Sequence, residues 1–321
     1  MTKIAVIQPQ LTVGDVESNL VRVQGLIRDA YREHAAEIIV VPEAFTSPNV
    51  YAPALLQSPQ PIDGRPLQMM RELARELGVI VAGGFVAIRG RHTYGTYILA
   101  EPDGTIHLHD KDIPTAWEQG FYMGGQDDGV IDCATLSCKI GLMSGWEWAR
   151  FGTSARVHAA GAQLVIGGMC WYSMPINWYG SLGTWMRREH ARYCQQSRDL
   201  PAQVARLTGV PVAHAAHVGL VSCNTPLLPR VRWLTEMTGE SQICDREGRI
   251  LARLGLEDGE GHVAADVTLA APQPIDPIPD RYWIIDHSIA SLLAWHVGNL
   301  HGTISYRVRH TLNRFPWQHQ V

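Results

Sequence analysis

The chain has 321 residues, enough for one large domain or two ordinary ones, and its 46% hydrophobic and 18% charged content excludes intrinsic disorder as the main state. A net charge of -4 with Lys and Arg scattered along the chain leaves no basic stripe for phosphates, so nucleic acid is not an expected partner. The six cysteines form no CxxC pair and no Cys/His group at zinc spacing, which reads as reduced thiols in a cytoplasmic protein without a metal or other cofactor.

Ile4 to Gln8 alternates as a short strand rather than as a signal core, so no export is expected. A turn at Gly14 leads into a helix over Val16 to His34, with Leu20, Val23, Leu26, Ile27 and Ala30 on one face. Glu37 to Val41 follows as a strand, Leu67 to Leu77 as a helix, and Val79 to Phe85 as an apolar strand. Tyr97 to Ala100 and Ile106 to His109 flank the Pro-Asp-Gly-Thr turn at 102–105 as a hairpin. Ile140 to Met143 and Leu164 to Ile166 are core strands around a helix at Ser154 to Ala160, and a long helix from Arg187 to Thr208 ends at Gly209. Val210 to Ala213 and Val218 to Ser222 are strands.

Val157 to Met186 and Leu207 to Pro229 lack Lys, Arg, Asp and Glu, but Gly, Pro, His and Asn interrupt both before about 20 apolar residues accumulate, so they read as buried segments and not membrane spans. Pro272, Pro274, Pro277 and Pro279 stiffen an extended arm. Beyond it, Trp283 to Trp295 is amphipathic and His296 to Val321 mixes aromatic and basic residues, the pattern of a subunit contact. Strands and helices alternating among hairpins predict an α/β sandwich with mixed sheets.

Three polar residues sit where a strand-based pocket needs them. Glu43 follows a fully apolar strand in Val-Val-Pro-Glu-Ala-Phe, at the kind of strand end where α/β proteins place chemistry. Lys111 follows the hairpin strand, and Glu118 lies seven residues later beside Trp117 and Phe121, whose rings lower the local dielectric. Taken singly, each is more often a solvated surface charge.

In order and spacing, however, the chain resembles the nitrilase (carbon-nitrogen hydrolase) superfamily over residues 3–270. The resemblance rests on Lys-Ile-Ala-Val-Ile-Gln at 3–8 with Asn19 beyond it, Pro-Glu-Ala-Phe at 42–45, Pro-Asp-Gly-Thr-Ile with Lys111 downstream, and Glu118 with Phe121 and Gly124. Ile-Gly-Leu at 140–142 leads to Trp146-Glu147, and Gly161-Ala-Gln-Leu-Val follows. Gly239-Glu-Ser-Gln-Ile-Cys-Asp, Gly248-Arg-Ile-Leu-Ala and Asp266 resemble the family's closing hairpin and last strand.

The resemblance implies a four-layer αββα subunit that pairs into a homodimer or higher homo-oligomer, with a hydrolase-like domain at 1–270 and a C-terminal arm at 271–321. It also implies a Glu-Lys-Cys set acting on non-peptide C-N bonds of small molecules. In that chemistry a thiolate attacks a nitrile, amide or carbamoyl carbon, a carboxylate moves the proton, and an ammonium stabilises the developing charge. Carried over by position, Glu43 is the base, Lys111 the stabiliser and Glu118 the supporting carboxylate. Trp117, Trp146, Glu147, Cys170, Trp171 and Tyr172 are the residues expected to border the substrate.

The departure is at the nucleophile, because the family's Cys precedes the Trp-Glu pair and here that position is Gly145. Strand alternation turns the Ser144 side chain to the opposite face from position 145. Cys170, in Gly-Gly-Met-Cys-Trp, ends the following strand as a small buried hydrophobe that could border the pocket. Trp178, Tyr179 and Trp185 extend the aromatic block, and His214 and His217 read as core or rim histidines.

Three functions are therefore expected in order. The first is a carbon-nitrogen hydrolase-like site lacking its nucleophile. The second is a natural enzyme of non-covalent mechanism in the same pocket, with the space left by the missing side chain holding a water. The third is a non-catalytic binding or assembly protein.

Overall fold

The computed structural model describes residues 1–225 and 228–319. Residues 226, 227, 320 and 321, which fall in the second charge-free stretch and at the end of the expected arm, lie outside the described residues.

In the first half, strands β1 (Thr2–Gln8), β2 (Ile38–Val40), β3 (Gln60–Pro61), β4 (Ile80–Arg89), β5 (His92–Ala100) and β6 (Ile106–Asp110) alternate with helices α1 (Val16–His34) and α2 (Arg65–Leu77). In the second half come β7 (Val130–Cys133), β8 (Cys138–Ser144), α3 (Phe151–Ala159), β9 (Leu164–Met169), α4 (Gly180–Thr208) and β10 (Val212–Ala216). The chain then forms β11 (Leu220–Thr225), β12 (Leu228–Glu236), β13 (Ser241–Cys244), β14 (Ile250–Leu254), β15 (Gly261–Val267) and α5 (Ile289–Thr311).

The two main sheets run β15-β1-β2-β4-β5-β6 and β14-β13-β10-β9-β8-β7, while β11 and β12 pair on their own. Each main sheet has a parallel centre, β1-β2-β4 in one and β8-β9-β10 in the other, flanked by antiparallel strands. Alternation along each strand sends one set of side chains between the sheets: Ile4, Val6, Val40 and Leu99 meet Ile140, Leu142, Ile166 and Ala213 there. The other set, including Ile7, Ile39 and Val81, packs under α1 and α2, and Val165 and Val212 pack under α3 and α4. The result is the four-layer αββα sandwich.

Helix boundaries follow local chemistry. Asp15 accepts from the Ser18 amide at 3.2 Å to start α1, and Gly209, at φ 72°, stops α4 in a left-handed cap. Helix α4 begins seven residues before the expected Arg187, because Gly180 and Gly183 weaken the helical signal of an exposed first segment. The C-terminal helix also differs from expectation. Residues 283–285 are pinned as an extended segment, with the Ile284 amide donating to Ala149 O at 2.8 Å, so α5 starts only after the Ser288 cap and runs on to Thr311.

Candidate active site

Four strand ends converge on one side of the sandwich. The ends of β2, β6, β8 and β9 carry respectively Glu43, Lys111, Ser144-Gly145 and Cys170. This is where a parallel sheet leaves room for a ligand. Lys111 is fully buried, and its Nζ lies 2.7 Å from Glu118 Oε2, 3.4 Å from Glu43 Oε2 and 3.3 Å from Tyr122 Oη. Glu118 is held in a 3-10 turn (Ala116–Gly120), where its Oε2 also accepts from the Thr115 amide at 2.7 Å. Glu43 Oε1 accepts from the Cys170 amide at 3.0 Å, Glu43 Oε2 accepts from Ser144 Oγ at 3.1 Å, and His217 Nε2 donates to the Glu43 carbonyl at 2.6 Å.

Burial alone disfavours the Lys111 ammonium, but Glu118 and then Glu43 outweigh it and hold its pKa above that of an ordinary lysine. Burial, helped by Glu118, pushes Glu43 up against the opposing pull of Lys111. Burial and then Glu43 push the Cys170 thiol well up, so it is no ready thiolate. His214 and His217 are buried neutral imidazoles whose pKa falls to about 4 through desolvation.

Gly145 occupies the centre of this group. Its φ of 58° belongs to the left-handed region, and a Cβ built on it would lie 2.5 Å from Glu43 Oε1, 2.5 Å from Lys111 Nζ and 2.6 Å from Glu43 Oε2. A side chain at 145 therefore projects between the Glu43 carboxylate and the Lys111 ammonium. The space expected for a water is instead taken up by the ends of Glu43 and Lys111. Ser144 also departs from expectation: strand geometry ends at this residue and a 3-10 turn starts, so its hydroxyl reaches Glu43 rather than the opposite face.

A cavity of about 370 Å³ opens above these groups, its wall including Glu43, Asn49, Glu118 and Cys170 together with Trp117, Trp146, Trp171 and Tyr172. Glu147 is elsewhere. Fully buried away from the cavity wall, it accepts from His109 Nε2 at 2.7 Å, from the Ser144 amide at 2.8 Å and from Arg156 Nη2 at 3.3 Å. Tyr179 is 92% exposed and Trp185 38%, so the aromatic block divides between pocket and surface.

Residues 3–275 match the family model described as "Carbon-nitrogen hydrolase". The chain belongs to that family. An N-carbamoylputrescine amidase of Solanum tuberosum is 28% identical over 41% of this chain and 47% of its own length. An (R)-stereoselective amidase of Pseudomonas sp is 25% identical over 51% of this chain and 58% of that protein. The chain thus spans about half the length of the curated relatives it matches. Among solved structures, a carbon-nitrogen hydrolase of Helicobacter pylori G27 superposes with a TM-score of 0.68 at 16% identity, covering 83% of this chain and 89% of that one. A mutant amidase of Nesterenkonia sp. AN1, described with acrylamide added to its active site cysteine, superposes with a TM-score of 0.60 at 19% identity, covering 88% and 96%. These likenesses establish the fold.

Within this family fold, sequence reasoning did not find Asn49, Tyr122 or the contribution of α5. Asn49 Nδ2 reaches Glu118 Oε1 at 3.5 Å, and Tyr122 meets Lys111, but neither stands in a motif that marks it. No helix among the described residues is long and apolar enough to cross a membrane. Among the described residues, Glu33, His34 and His262 bring metal-ligand atoms together, with His34 Nε2 3.0 Å from His262 Nδ1; none of them lines the cavity.

Proposed function

We propose that this chain takes a small non-peptide C-N compound, an amide, nitrile or N-carbamoyl compound, at Glu43, Lys111 and Glu118, in a form of the carbon-nitrogen hydrolase site that lacks the nucleophile. The observation that carries this reading is the direction of position 145, whose Cβ would fall within 2.6 Å of both Glu43 and Lys111. In the roles proposed here, Lys111 stabilises charge developing on the substrate's oxygen or nitrogen, Glu118 holds Lys111 and accepts a substrate N-H, and Glu43 moves protons. Without a thiol at 145, binding proceeds and no acyl-enzyme forms.

The test is Gly145→Cys. A left-handed non-glycine residue costs about 1–2 kcal/mol, and the atoms it would displace are the far ends of two long side chains, Glu43 and Lys111. Turnover of amides, nitriles or carbamoyl compounds together with an acyl adduct in the intact mass is the expected outcome. A folded variant that shows neither would defeat the reading.

A second reading keeps catalysis in the present chain, with Glu43 directing water at a bound electrophile. It is favoured by the place of Glu43 on the cavity wall, where its carboxylate meets whatever the cavity holds. Turnover by the unmodified protein that disappears in Glu43→Gln is its signature. A reducing, cytoplasmic setting accords with six unpaired cysteines. A homo-oligomer accords with the outer face of α5, where Ile289, Leu293, Leu300 and Ile304 are exposed at heptad-like spacing suited to the same helix of a second copy. Sedimentation of Leu293→Glu against the unmodified chain checks that contact.

A further inference from the structure

Helix α5 lies beyond the family-matched residues, which end at 275, yet it forms a wall of the cavity through Ser291, Ala294, Trp295, Gly298 and His301. Its seat is built for close approach to the turn that carries Trp117 and Glu118. A Cβ on Gly298 would lie 3.0 Å from Ala116 Cβ, and one on Gly302 would lie 2.9 Å from both Ala116 O and Gly120 N. Only glycines four residues apart on one helix face let the α5 backbone rest on that turn. Gln119 Nε2 then donates to Asn299 Oδ1 at 2.9 Å, and Thr303 Oγ1 donates to Gln119 Oε1, so one side chain of the turn ties it to the helix twice beside the glycine contact.

The wall has a definite chemistry. Trp117, Trp146, Trp171, Tyr172, Trp233 and Trp295 surround the cavity, Glu43 and Glu118 stand at its charged end, and among the described residues no Lys or Arg is on it. The one nearby ammonium, Lys111, is fully buried and already engaged by both carboxylates. A ligand carboxylate entering here would lose its hydration, meet two carboxylates and gain no Lys or Arg partner among the described residues, whereas ring faces and carboxylates both favour a neutral or positively charged body.

We propose that α5 is the specificity wall of this site and selects a C-N compound carried on a broad apolar group, uncharged or cationic, with Trp295 as the deciding contact. This rests on the reading that Glu43, Lys111 and Glu118 receive the C-N group. It goes further in naming the rest of the molecule and the segment that reads it.

The test uses equilibrium binding to the 321-residue chain, followed by calorimetry, with four probes: acetamide, 3-phenylpropanamide, and its para-carboxylate and para-aminomethyl derivatives. We expect 3-phenylpropanamide and the aminomethyl derivative to bind at least about tenfold more tightly than acetamide or the carboxylate derivative, a difference of about 1.4 kcal/mol. Trp295→Ala removes that preference, and Trp295→Phe, the milder replacement, keeps most of it. Equal binding of all four probes, or a preference unchanged in both folded variants, overturns the specificity wall. If that binding still falls in Glu118→Gln, the C-N reading itself survives. Binding of none of the four overturns both.

Discussion

Two clusters of buried charge lie close together in sequence and differ in how they are balanced. Around His109, every charge has fixed partners: His109 Nδ1 donates to Asp127, His109 Nε2 donates to Glu147 at 2.7 Å, and Arg156 and Arg150 neutralise Asp112 and Glu147. Despite burial, Glu147 and Asp127 raise the His109 pKa to about 10, and His109 in turn holds Glu147 well below the ordinary carboxylate range. Around Lys111, two carboxylates share one ammonium, both of them on the cavity wall, and burial pushes Glu43 up. The first cluster is satisfied by the fold and stiffens it. The second retains an excess of carboxylate that a ligand's N-H groups or positive charge would relieve.

The largest expected effect on this comparison comes from Lys111→Met. It leaves Glu43 and Glu118 facing each other without a cation, and stability falls by about 3–5 kcal/mol. Denaturant unfolding at pH 5 and pH 8 checks it. The loss is greater at pH 8, because protonating a carboxylate relieves the repulsion, and an equal loss at both values contradicts the charge argument.

His109→Gln comes next, with a loss of about 3 kcal/mol near pH 6. A histidine whose folded pKa is raised contributes its full stability below the unfolded value of about 6.5 and loses it as pH rises through the folded value. With the folded value at about 10, the stability of the unmodified chain therefore declines between roughly pH 6.5 and 10, and the variant flattens that slope. Binding of 3-phenylpropanamide stays within about threefold, as befits a cluster that touches no ligand.

Glu43→Gln has the opposite profile. Because the folded pKa of Glu43 is raised, its ionised form costs stability above the unfolded pKa of about 4.3, so the neutral variant is as stable as the original or gains up to about 1 kcal/mol at pH 7. It loses proton-transfer function in the Gly145→Cys background, measured as amide turnover. A stability loss above about 2 kcal/mol at pH 7 places Glu43 with the satisfied cluster instead.

Ser144→Ala carries the smallest effect. It deletes one hydrogen bond to Glu43, worth about 1 kcal/mol. Calorimetric melting measures it.

Sequence alone determined much of the fold. The stripe Leu20, Val23, Ile27 and Ala30 marks α1 because helical periodicity is a local property, and Gly209 marks the end of α4 because a left-handed cap favours glycine. The hairpin β5-β6 was legible for the same local reason, from Pro-Asp-Gly-Thr, whereas β13-β14 was legible only through the family resemblance of Gly239 to Asp245 and Gly248 to Ala252. Glu43, Lys111, Glu118 and Gly145 were legible as positions only through the family resemblance in their order along the chain, since each taken singly reads as an ordinary residue.

What only the tertiary structure decided is how those positions meet. Ser144 turns toward Glu43 because the strand gives way to a 3-10 turn at that residue, and the ends of Glu43 and Lys111 close over Gly145 because nothing larger than hydrogen stands between them. Glu147 leaves the substrate wall for His109, a partner 38 residues away. Helix α5 reaches Trp117 and Glu118 from some 180 residues downstream, through glycine contacts that no local pattern announces. Periodicity and caps depend on neighbours within a few residues and can be read from the string. A pocket depends on which distant surfaces touch, and here that contact brought helix α5 into the cavity wall.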